Sequence, residues 1–238
     1  MLVRTEAFRG AGDTPAGGGG EVDFVQASSV YLGNSNATTH TLAYTCAVSP
    51  GSNRLLVLAL CNKQNVDDFD SITYNGVAMT NAVFVRNTSS TPDINASIWY
   101  LLDADIPNDG ASHNLVVDFA GTNSHPATFI LLEYINVAQG APHRTDAVAN
   151  SGSSAATLTL TTVASGSVLI DVLSVANSNT TIVFGTDQNE RVISGASNFT
   201  LAASDKLPAA HSGGSVAMSI DPASTNTRAY VAASWEMA

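Results

Sequence analysis

Three carboxylates crowd the segment 65–71 (NVDDFDS), where Asp67, Asp68 and Asp70 fall within four residues. Carboxylate oxygens are preferred ligands of calcium, so the segment could supply part of a calcium site. The spacing fits no standard calcium loop, and the ligand pattern of an EF-hand is absent. The sequence therefore favours a solvated acidic turn over a calcium site, and we predict no metal ligand.

Other residues that could do chemistry lack the spacing that catalysis needs. None of the histidines lies in an HExxH or paired metal-ligand spacing; they are His40, His113, His125, His143 and His211. No GxSxG nucleophile elbow occurs. Asp103 and Asp105 could act as glycosidase acids, but LLDADIPNDG is typical of a strand end followed by a turn. We therefore predict no catalytic residue, no cofactor and no enzymatic activity.

Four aromatic residues could form a platform on which a sugar ring stacks, namely Trp99, Tyr100, Tyr134 and Trp235. All four lie in strand-like apolar segments, so packing inside a core is the favoured interpretation. The two cysteines, Cys46 and Cys61, lie near the ends of successive predicted strands and would be far apart in a simple hairpin. We therefore expect free, mostly buried thiols.

The composition argues against several classes of partner. Charged residues make up 12% of the 238 residues, against about 25% in an average globular protein. The net charge is −11, and the two lysines, Lys63 and Lys206, belong to no basic run. Binding to phosphate backbones needs clustered Lys and Arg. We therefore expect no nucleic-acid partner and no membrane partner.

The first residues, MLVRTEAFRGAG, lack the apolar core of a secretory signal. Apolar runs such as 55–61 fall far short of the roughly 20 residues that a membrane span needs. We expect a soluble protein that is made in the cytosol for assembly or exported without a cleaved signal.

Residues 1–20 are predicted to form an extended arm rather than a domain. Six glycines and one proline lie between Gly10 and Gly20, which gives high backbone entropy and no core-forming side chains. Apolar and basic residues ahead of this stretch could form a hook that docks on a partner; they are Leu2, Val3, Arg4, Phe8 and Arg9. A frayed terminus is the alternative, and the sequence leaves both open.

Alternating apolar patterns broken by Gly, Asn, Asp, Ser and Pro follow the arm and are typical of an all-β sandwich. The Asn75-Gly76 pair predicts a tight hairpin. Strands are predicted at 22–32, 41–48, 54–61, 71–74, 77–86, 96–102, 113–119 and 127–137, then at 157–163, 167–175, 181–184, 190–193, 198–203, 215–220 and 228–237. The halves are thus 21–137 and 157–238, joined by a connector at 138–156 without strands.

Two strand patterns of the first half return in the second half in the same order. Residues 54–60 (RLLVLAL) are echoed by 167–173 (SVLIDVL), and 128–134 (TFILLEY) are echoed by 229–235 (AYVAASW). A repeated β-unit indicates the architecture of the scaffold and says little about chemistry. The sequence therefore predicts two quasi-repeated halves.

The two copies differ in one face of their strands. Side chains alternate between faces, and the second half has a mixed face containing Leu169 and Asp171. The same face in the first half is apolar and carries Leu56, Leu58, Leu60, Phe129 and Leu131. Burial of one Leu or Phe is worth roughly 1.5–3 kcal/mol, so this face must be covered. We expect the other half, the arm or another subunit to cover it, with a long local loop as the alternative.

The series NRLLVLAL, ITYNGVAMT, ASIWYLL, HNLVVDF and FILLEYINVAQGAP, followed by SGSVLIDVL, resembles a two-half β-sandwich module. Such modules occur in phage virion proteins and in bacterial surface or secreted proteins. The resemblance spans about residues 22–238. It implies an all-β, jelly-roll-like antiparallel β-sandwich with a structural or binding role, preceded here by the Gly-rich arm.

These observations together predict a virion structural protein, namely a capsid cement or decoration protein that stabilises the head of a tailed bacteriophage. It would assemble in the host cytoplasm, self-associate on the capsid surface, as a homotrimer, and dock its arm on the major capsid protein. The alternative is a tail-fibre, baseplate or bacterial surface module that recognises a host glycan. That alternative predicts exposed aromatic residues in loops at one end of the sandwich.

Overall fold

The computed structural model describes residues 6–8, 20–32, 37–48, 50–62, 69–89, 93–123, 126–152, 155–177, 181–195, 199–223 and 226–238. Within these ranges the chain is almost entirely β-structure. Its helical segments there are two 3-10 turns, Asp103–Asp105 and Pro208–Ala210. No helix in the described part of the chain is long and apolar enough to cross a bilayer.

Within the described residues, ten strands precede the connection between the halves and eight follow it. The first set is β1 (Glu6–Phe8), β2 (Asp23–Leu32), β3 (Ala37–Tyr44), β4 (Leu55–Asn62), β5 (Phe69–Tyr74), β6 (Val77–Ala78), β7 (Thr80–Asn87), β8 (Ile94–Leu102), β9 (His113–Asn123) and β10 (Ala127–Ile135). The second set is β11 (Arg144–Gly152), β12 (Ala156–Val163), β13 (Val168–Val175), β14 (Val183–Phe184), β15 (Asn189–Gly195), β16 (Thr200–Lys206), β17 (Gly214–Asp221) and β18 (Asn226–Trp235).

The two halves repeat one topology. The first half forms a central sheet in the order β1-β2-β10-β4-β8-β7 and an outer sheet in the order β3-β9-β5-β6. The second half forms a central sheet in the order β11-β18-β13-β16-β15 and an outer sheet in the order β12-β17-β14. Strand β11 thus takes the place of β2, and β18 takes that of β10. The all-β, jelly-roll-like antiparallel fold with two quasi-repeated halves is as predicted, and each half is a sandwich of two sheets.

The four sheets stack as four layers with three cores between them. The first-half core lies between the outer and central sheets of the first half, and the second-half core lies between the corresponding sheets of the second. The inter-half core lies between the two central sheets. Both central sheets are therefore buried on both faces, which explains why β4 (LLVLALCN) reads as a continuous apolar run.

The outer sheets carry one buried face and one solvated face. Strand β12 (ATLTLTTV) buries its leucines in the second-half core and exposes Thr157, Thr159 and Thr161. This alternation is the sequence pattern of a half-buried antiparallel strand. The predicted hairpin at Asn75-Gly76 is also present, with φ values of 51° and 78° that suit a tight two-residue turn.

The predicted cover of the first half's apolar face is wrong. Strands β3, β5 and β9 of the same half cover this face, rather than the other half, the arm, another subunit or a long loop. The five residues are buried in the first-half core: Leu56, Leu58, Leu60, Phe129 and Leu131. Alternation along β4 instead turns Leu55, Val57 and Ala59 towards the second half.

The mixed face of the second half is also buried, although its polar residues favour a solvated face. Every residue of β13 is buried, and its mixed face packs beneath the second outer sheet. Asp171 is 0% exposed on this face. A buried carboxyl group needs hydrogen-bond partners.

Two strands lie where none is predicted. Strand β11 lies inside the predicted connector at 138–156 and forms one edge of the second central sheet. Its sequence, RTDAVANSG, has no large apolar alternation that would mark a strand. Strand β1 lies inside the predicted arm and pairs antiparallel with β2. Both are edge strands, for which hydrophobic periodicity is a weak signal.

Candidate functional site

The two halves meet as the subunits of a symmetric dimer would. Strand β7 of the first half contacts β11 of the second, while β15, the counterpart of β7, contacts β2, the counterpart of β11. Asn87 of β7 fixes one of these contacts, because its Nδ2 donates to the carbonyl oxygens of Asn150 (2.7 Å) and Arg228 (2.8 Å). A contact that recurs with the partners exchanged defines an isologous interface. The halves are thus related by a pseudo-twofold axis.

Counterpart residues form different pairs on the two sides of this axis. The strand registers make Tyr134 the counterpart of Trp235, and Tyr100 the counterpart of Asp205. The Tyr134 hydroxyl donates to Asp205 Oδ2 at 2.8 Å. The pseudo-symmetry-equivalent contact is an edge-to-face contact between Tyr100 and Trp235, with ring centroids 5.5 Å apart. One equivalent position is therefore polar and the other aromatic.

Asp205 is fully buried in the inter-half core and has several donors. Arg191 contacts it through Nε at 2.7 Å and Nη2 at 3.1 Å, and Asn189 Nδ2 donates at 3.0 Å. The Arg191 guanidinium also lies 3.8 Å from the ring centre of Phe24 in the first half. A paired guanidinium that stacks on an aromatic ring suits a buried ion pair. With Tyr134, this cluster ties both central sheets together.

A second buried polar cluster surrounds Asp171 in the second-half core. The hydroxyls of Ser204 and Tyr230 donate to its two carboxylate oxygens, and Gln188 Nε2 donates to Oδ2 at 2.9 Å. Burial raises the pKa of the Asp171 carboxyl to about 7, although the hydrogen bonds from Ser204 and Tyr230 oppose this rise. The group is enclosed, so the chemistry open to it is uptake and release of a proton.

The Asp171 cluster replaces an apolar one in the first half. The strand registers place Leu58, Trp99 and Phe129 where the second half has Asp171, Ser204 and Tyr230. Leu58 and Phe129 lie inside the first-half core, and Trp99 packs against it. The fold therefore does not require polar residues at the positions of Asp171, Ser204 and Tyr230, because the first half has apolar or aromatic residues there.

Glu133 is a third buried carboxyl group, at one end of the first-half core. Its Oε2 accepts from Gln26 Nε2 at 2.7 Å and from the Ala47 amide at 3.0 Å. Its Oε1 is buried and has no hydrogen-bond partner among the described residues. Burial raises the pKa of this carboxyl as well.

An open depression of about 290 Å³ lies where the connection between the halves meets the C-terminal residues. His143 Nδ1 lies 3.2 Å from Glu236 Oε1 at its rim. Trp235 lines the depression, but its ring packs against Tyr100 in the inter-half core. One exposed His–Glu pair is too small a set to assign a reaction or a ligand.

The outer side of β2 carries the arm. Strand β1 pairs there with Ala27, Ser28 and Ser29, while the inner side of β2 pairs with β10 along nearly its whole length. We call these three residues the arm edge. Strand addition of this kind supplies backbone hydrogen bonds that do not depend on the identity of the added side chains.

The structure places the remaining predicted residues as follows. Leu2, Val3, Arg4 and Arg9 of the predicted hook lie outside the described residues, and Phe8 ends β1. The four aromatic residues considered for sugar stacking pack in or against the cores, so their predicted core role is confirmed: Trp99, Tyr100, Tyr134 and Trp235. Cys46 and Cys61 are free and buried, as predicted.

The predicted acidic turn lies mostly outside the described residues. Asp67 and Asp68 fall outside them, and Asp70 is exposed on β5. In the ranges that the structure describes, no group of three or more His, Cys, Asp or Glu side chains could hold a metal ion. Asp103 and Asp105 occupy the 3-10 turn after β8, which agrees with the predicted strand end and turn.

Comparison with known proteins assigns the chain to no family. No protein-family model, curated protein or solved structure matches it. The sites must therefore be interpreted from their own chemistry.

Sequence reasoning named Asp171 and Tyr134 but missed the other polar residues of the two buried clusters. Gln188, Arg191 and Asp205 lie in segments with no motif. The signal that could have found them is Asp171, which stands in a repeat position where the first copy has Leu58. A carboxyl at a core position demands several donors from neighbouring strands.

Proposed function

We propose that the chain is a structural virion protein, a cement or decoration protein on the capsid of a tailed bacteriophage. It stabilises the assembled head because it binds the shell and not the free capsid subunits. The major capsid protein is its partner, and the host cytoplasm is where it assembles onto the head. A homotrimer is its proposed oligomeric state.

One observation carries this proposal: a strand from the N-terminal arm adds to the edge of a central sheet. Strand addition is a general way to join extended segments to β-sandwiches. Residues 1–5 precede β1 and include three residues of the predicted hook, Leu2, Val3 and Arg4. An arm anchored at the arm edge would present those residues to a capsid subunit beneath the body.

The body also suits a protein that stands on a shell. Its apolar strands are enclosed in three cores, and strands such as β3 and β12 turn threonines outward. The buried ion pair and aromatic contacts of the inter-half core make the two halves one unit. The apolar face of the first half is enclosed in the first-half core and cannot contact the shell. Attachment to the shell then depends on the arm.

Co-sedimentation with capsid shells tests the proposal. Empty shells of the major capsid protein from the same genome are mixed with the full chain or with a variant that lacks residues 1–20. The full chain is expected to pellet with the shells, and the truncated chain to bind about tenfold more weakly or worse. A variant that lacks only residues 1–5 keeps β1 and is expected to lose shell binding as well.

Two outcomes would contradict the proposal. The full chain does not pellet with the shells, or the chain without residues 1–20 pellets as well as the full chain. Retained binding in the variant without residues 1–5 would move the contact from the hook to a later part of the chain.

A further inference from the structure

The two central sheets end differently at equivalent edges. In the first half, β1 lies outside β2 at the arm edge. In the second half, β11 is outermost, and no described strand pairs with its outer side. The registers of β10 with β2 and of β18 with β11 make Thr145, Asp146 and Ala147 the counterparts of the arm edge. Of these two equivalent edges, one therefore carries an added strand and the other carries none from the described part of the chain.

A side chain closes the edge of the second half. The Ala147 amide donates to Asp146 Oδ1 at 2.8 Å. This amide is therefore satisfied, and the carboxylate places charge where an added strand would approach, which is a known way to protect edge strands. The first half has Ser28 and Ser29 at the corresponding positions, which are small and uncharged. The first-half edge accepts a strand that the second-half edge excludes.

The connection between β1 and β2 is longer than an intrachain hairpin requires. Fourteen residues, 9–22, separate the two strands, whereas neighbouring antiparallel strands are usually joined by two to five residues. At about 3.3–3.6 Å per residue, the connection spans up to about 50 Å when extended. A compact chain of 238 residues has a radius of gyration of only about 18 Å. The arm can therefore reach the arm edge of an adjacent copy.

We propose that β1 of one copy pairs with the arm edge of a second copy, so that exchanged arms link copies of this chain. In the closed state β1 pairs with β2 of its own chain, and in the exchanged state it pairs with β2 of another copy. Both states make the same strand pairing, so the local concentration of neighbouring copies decides between them. Dilute protein keeps its own arm, whereas a surface crowded with copies favours exchange. The inference rests on the proposed function, because the capsid surface supplies the crowding. Residues 1–5 are not part of β1 and stay available for contact with the capsid protein.

Two variants with one added cysteine each report exchange without interference from closed chains. One carries Glu6→Cys, and the other carries Ser29→Cys and a larger tag; these positions are register partners. Oxidation joins the two variants only when the arm of one molecule lies on β2 of another. Cys46 and Cys61 do not compete, because they are buried and burial raises the pKa of both thiols.

The mixed variants are expected to form the cross-linked heterodimer at near-millimolar concentration, with a yield that falls on dilution to micromolar. The matched control replaces Ser29→Cys by Ala147→Cys, the counterpart position on β11. The yield of cross-linked heterodimer from this control is expected to be lower by a factor of about ten or more. Adding Asp146→Ser to that control opens the second edge and should raise the yield. Adding Ser28→Asp to the Ser29→Cys variant closes the first edge and should lower it.

Equal yields at Ser29 and Ala147 overturn the proposal, and so does the absence of the heterodimer at Ser29. One chain that carries both Glu6→Cys and Ser29→Cys verifies the pairing itself, since it should link internally at micromolar concentration; failure of that link also overturns the proposal. Because no capsid protein is present, arm exchange and shell binding can fail separately.

Discussion

Ionisation of Asp171 is expected to make the chain less stable at neutral pH than in mild acid. The perturbation is Asp171→Asn, which keeps the shape of the side chain and removes its titration. In the wild-type chain, burial raises the pKa from its ordinary value of 3.8 to about 7. The folded state therefore binds more protons than the unfolded state between these pH values. Stability must fall as pH rises through this window and level off above about pH 7.

The gap between the two pKa values sets the size of the effect. A difference of about three units corresponds to about 4 kcal/mol in the free energy of unfolding. Asp171 is wholly buried, so solvent screening does not reduce this figure in the way it would for an exposed group. The charge of Asp205 on the neighbouring strand acts in the same direction. The hydrogen bonds from Ser204 and Tyr230 hold the rise in the Asp171 pKa below what burial alone would cause.

Urea denaturation of both proteins at several pH values between 4 and 8.5 measures the effect. The difference in unfolding free energy between Asp171→Asn and wild type should grow in favour of the variant by up to about 4 kcal/mol across this range. The contribution of Glu133 is common to both proteins and cancels. Parallel curves for the two proteins would refute the reasoning, because they would mean that Asp171 does not titrate in this window.

Asp118 provides a control of opposite sign. Hydrogen bonds from the Thr39 and Ser71 hydroxyls lower the pKa of its exposed carboxyl. A carboxyl whose pKa is lowered in the folded state stabilises the fold at pH values above its ordinary pKa. This stabilisation is lost as the pH falls from the ordinary pKa through the lowered one. Asp118→Asn should therefore change the acid limb of the stability curve and leave the decline between pH 4 and 7 intact.

Three further predictions follow from the packing. Leu58→Ala should lower the free energy of unfolding by about 2–5 kcal/mol in urea, because it leaves a cavity in the first-half core; unchanged stability would contradict its burial. Asn87→Ala should cost about 1–3 kcal/mol by the same assay, since it leaves two carbonyls of the second half without their donor, whereas the exposed neighbour Asn81→Ala should cost less. Cys46 and Cys61 should resist a thiol reagent at pH 8 in the folded chain and both react in guanidinium; rapid labelling of the folded protein would be inconsistent with their burial.

The repeat and the strand pattern could be predicted because they depend on periodicity. The echo between 54–60 and 167–173 is real in three dimensions, since β4 and β13 hold the same place in their sheets. Alternation also showed that β4 has two apolar faces. What periodicity cannot specify is the partner of each face, because a leucine carries no information about which sheet will lie over it. The cover by β3, β5 and β9 depends on long-range pairing that the sequence does not state locally.

The candidate site was harder to predict for a related reason. Strand β1 and strand β11 lie at sheet edges, where the apolar signal in the sequence is weak. The Asp171 cluster draws its members from β13, β16, β18 and the turn before β15, which are distant in sequence and close only after folding. Only the exchange of Leu58 for Asp171 between the copies hinted that a polar core exists.

The differences between the halves also decide which surfaces pair. Two first halves that met through the inter-half face would place Tyr134 against Tyr100, and two second halves would place Trp235 against Asp205. The second arrangement takes the Tyr134 hydroxyl from the buried Asp205 carboxylate and offers an indole ring instead. Loss of a donor to a buried charge is penalised more than a mismatched apolar contact. Residue exchange at one pair of equivalent positions therefore favours joining unlike halves within a chain, which agrees with our proposal that separate chains join through the arm edge rather than through this face.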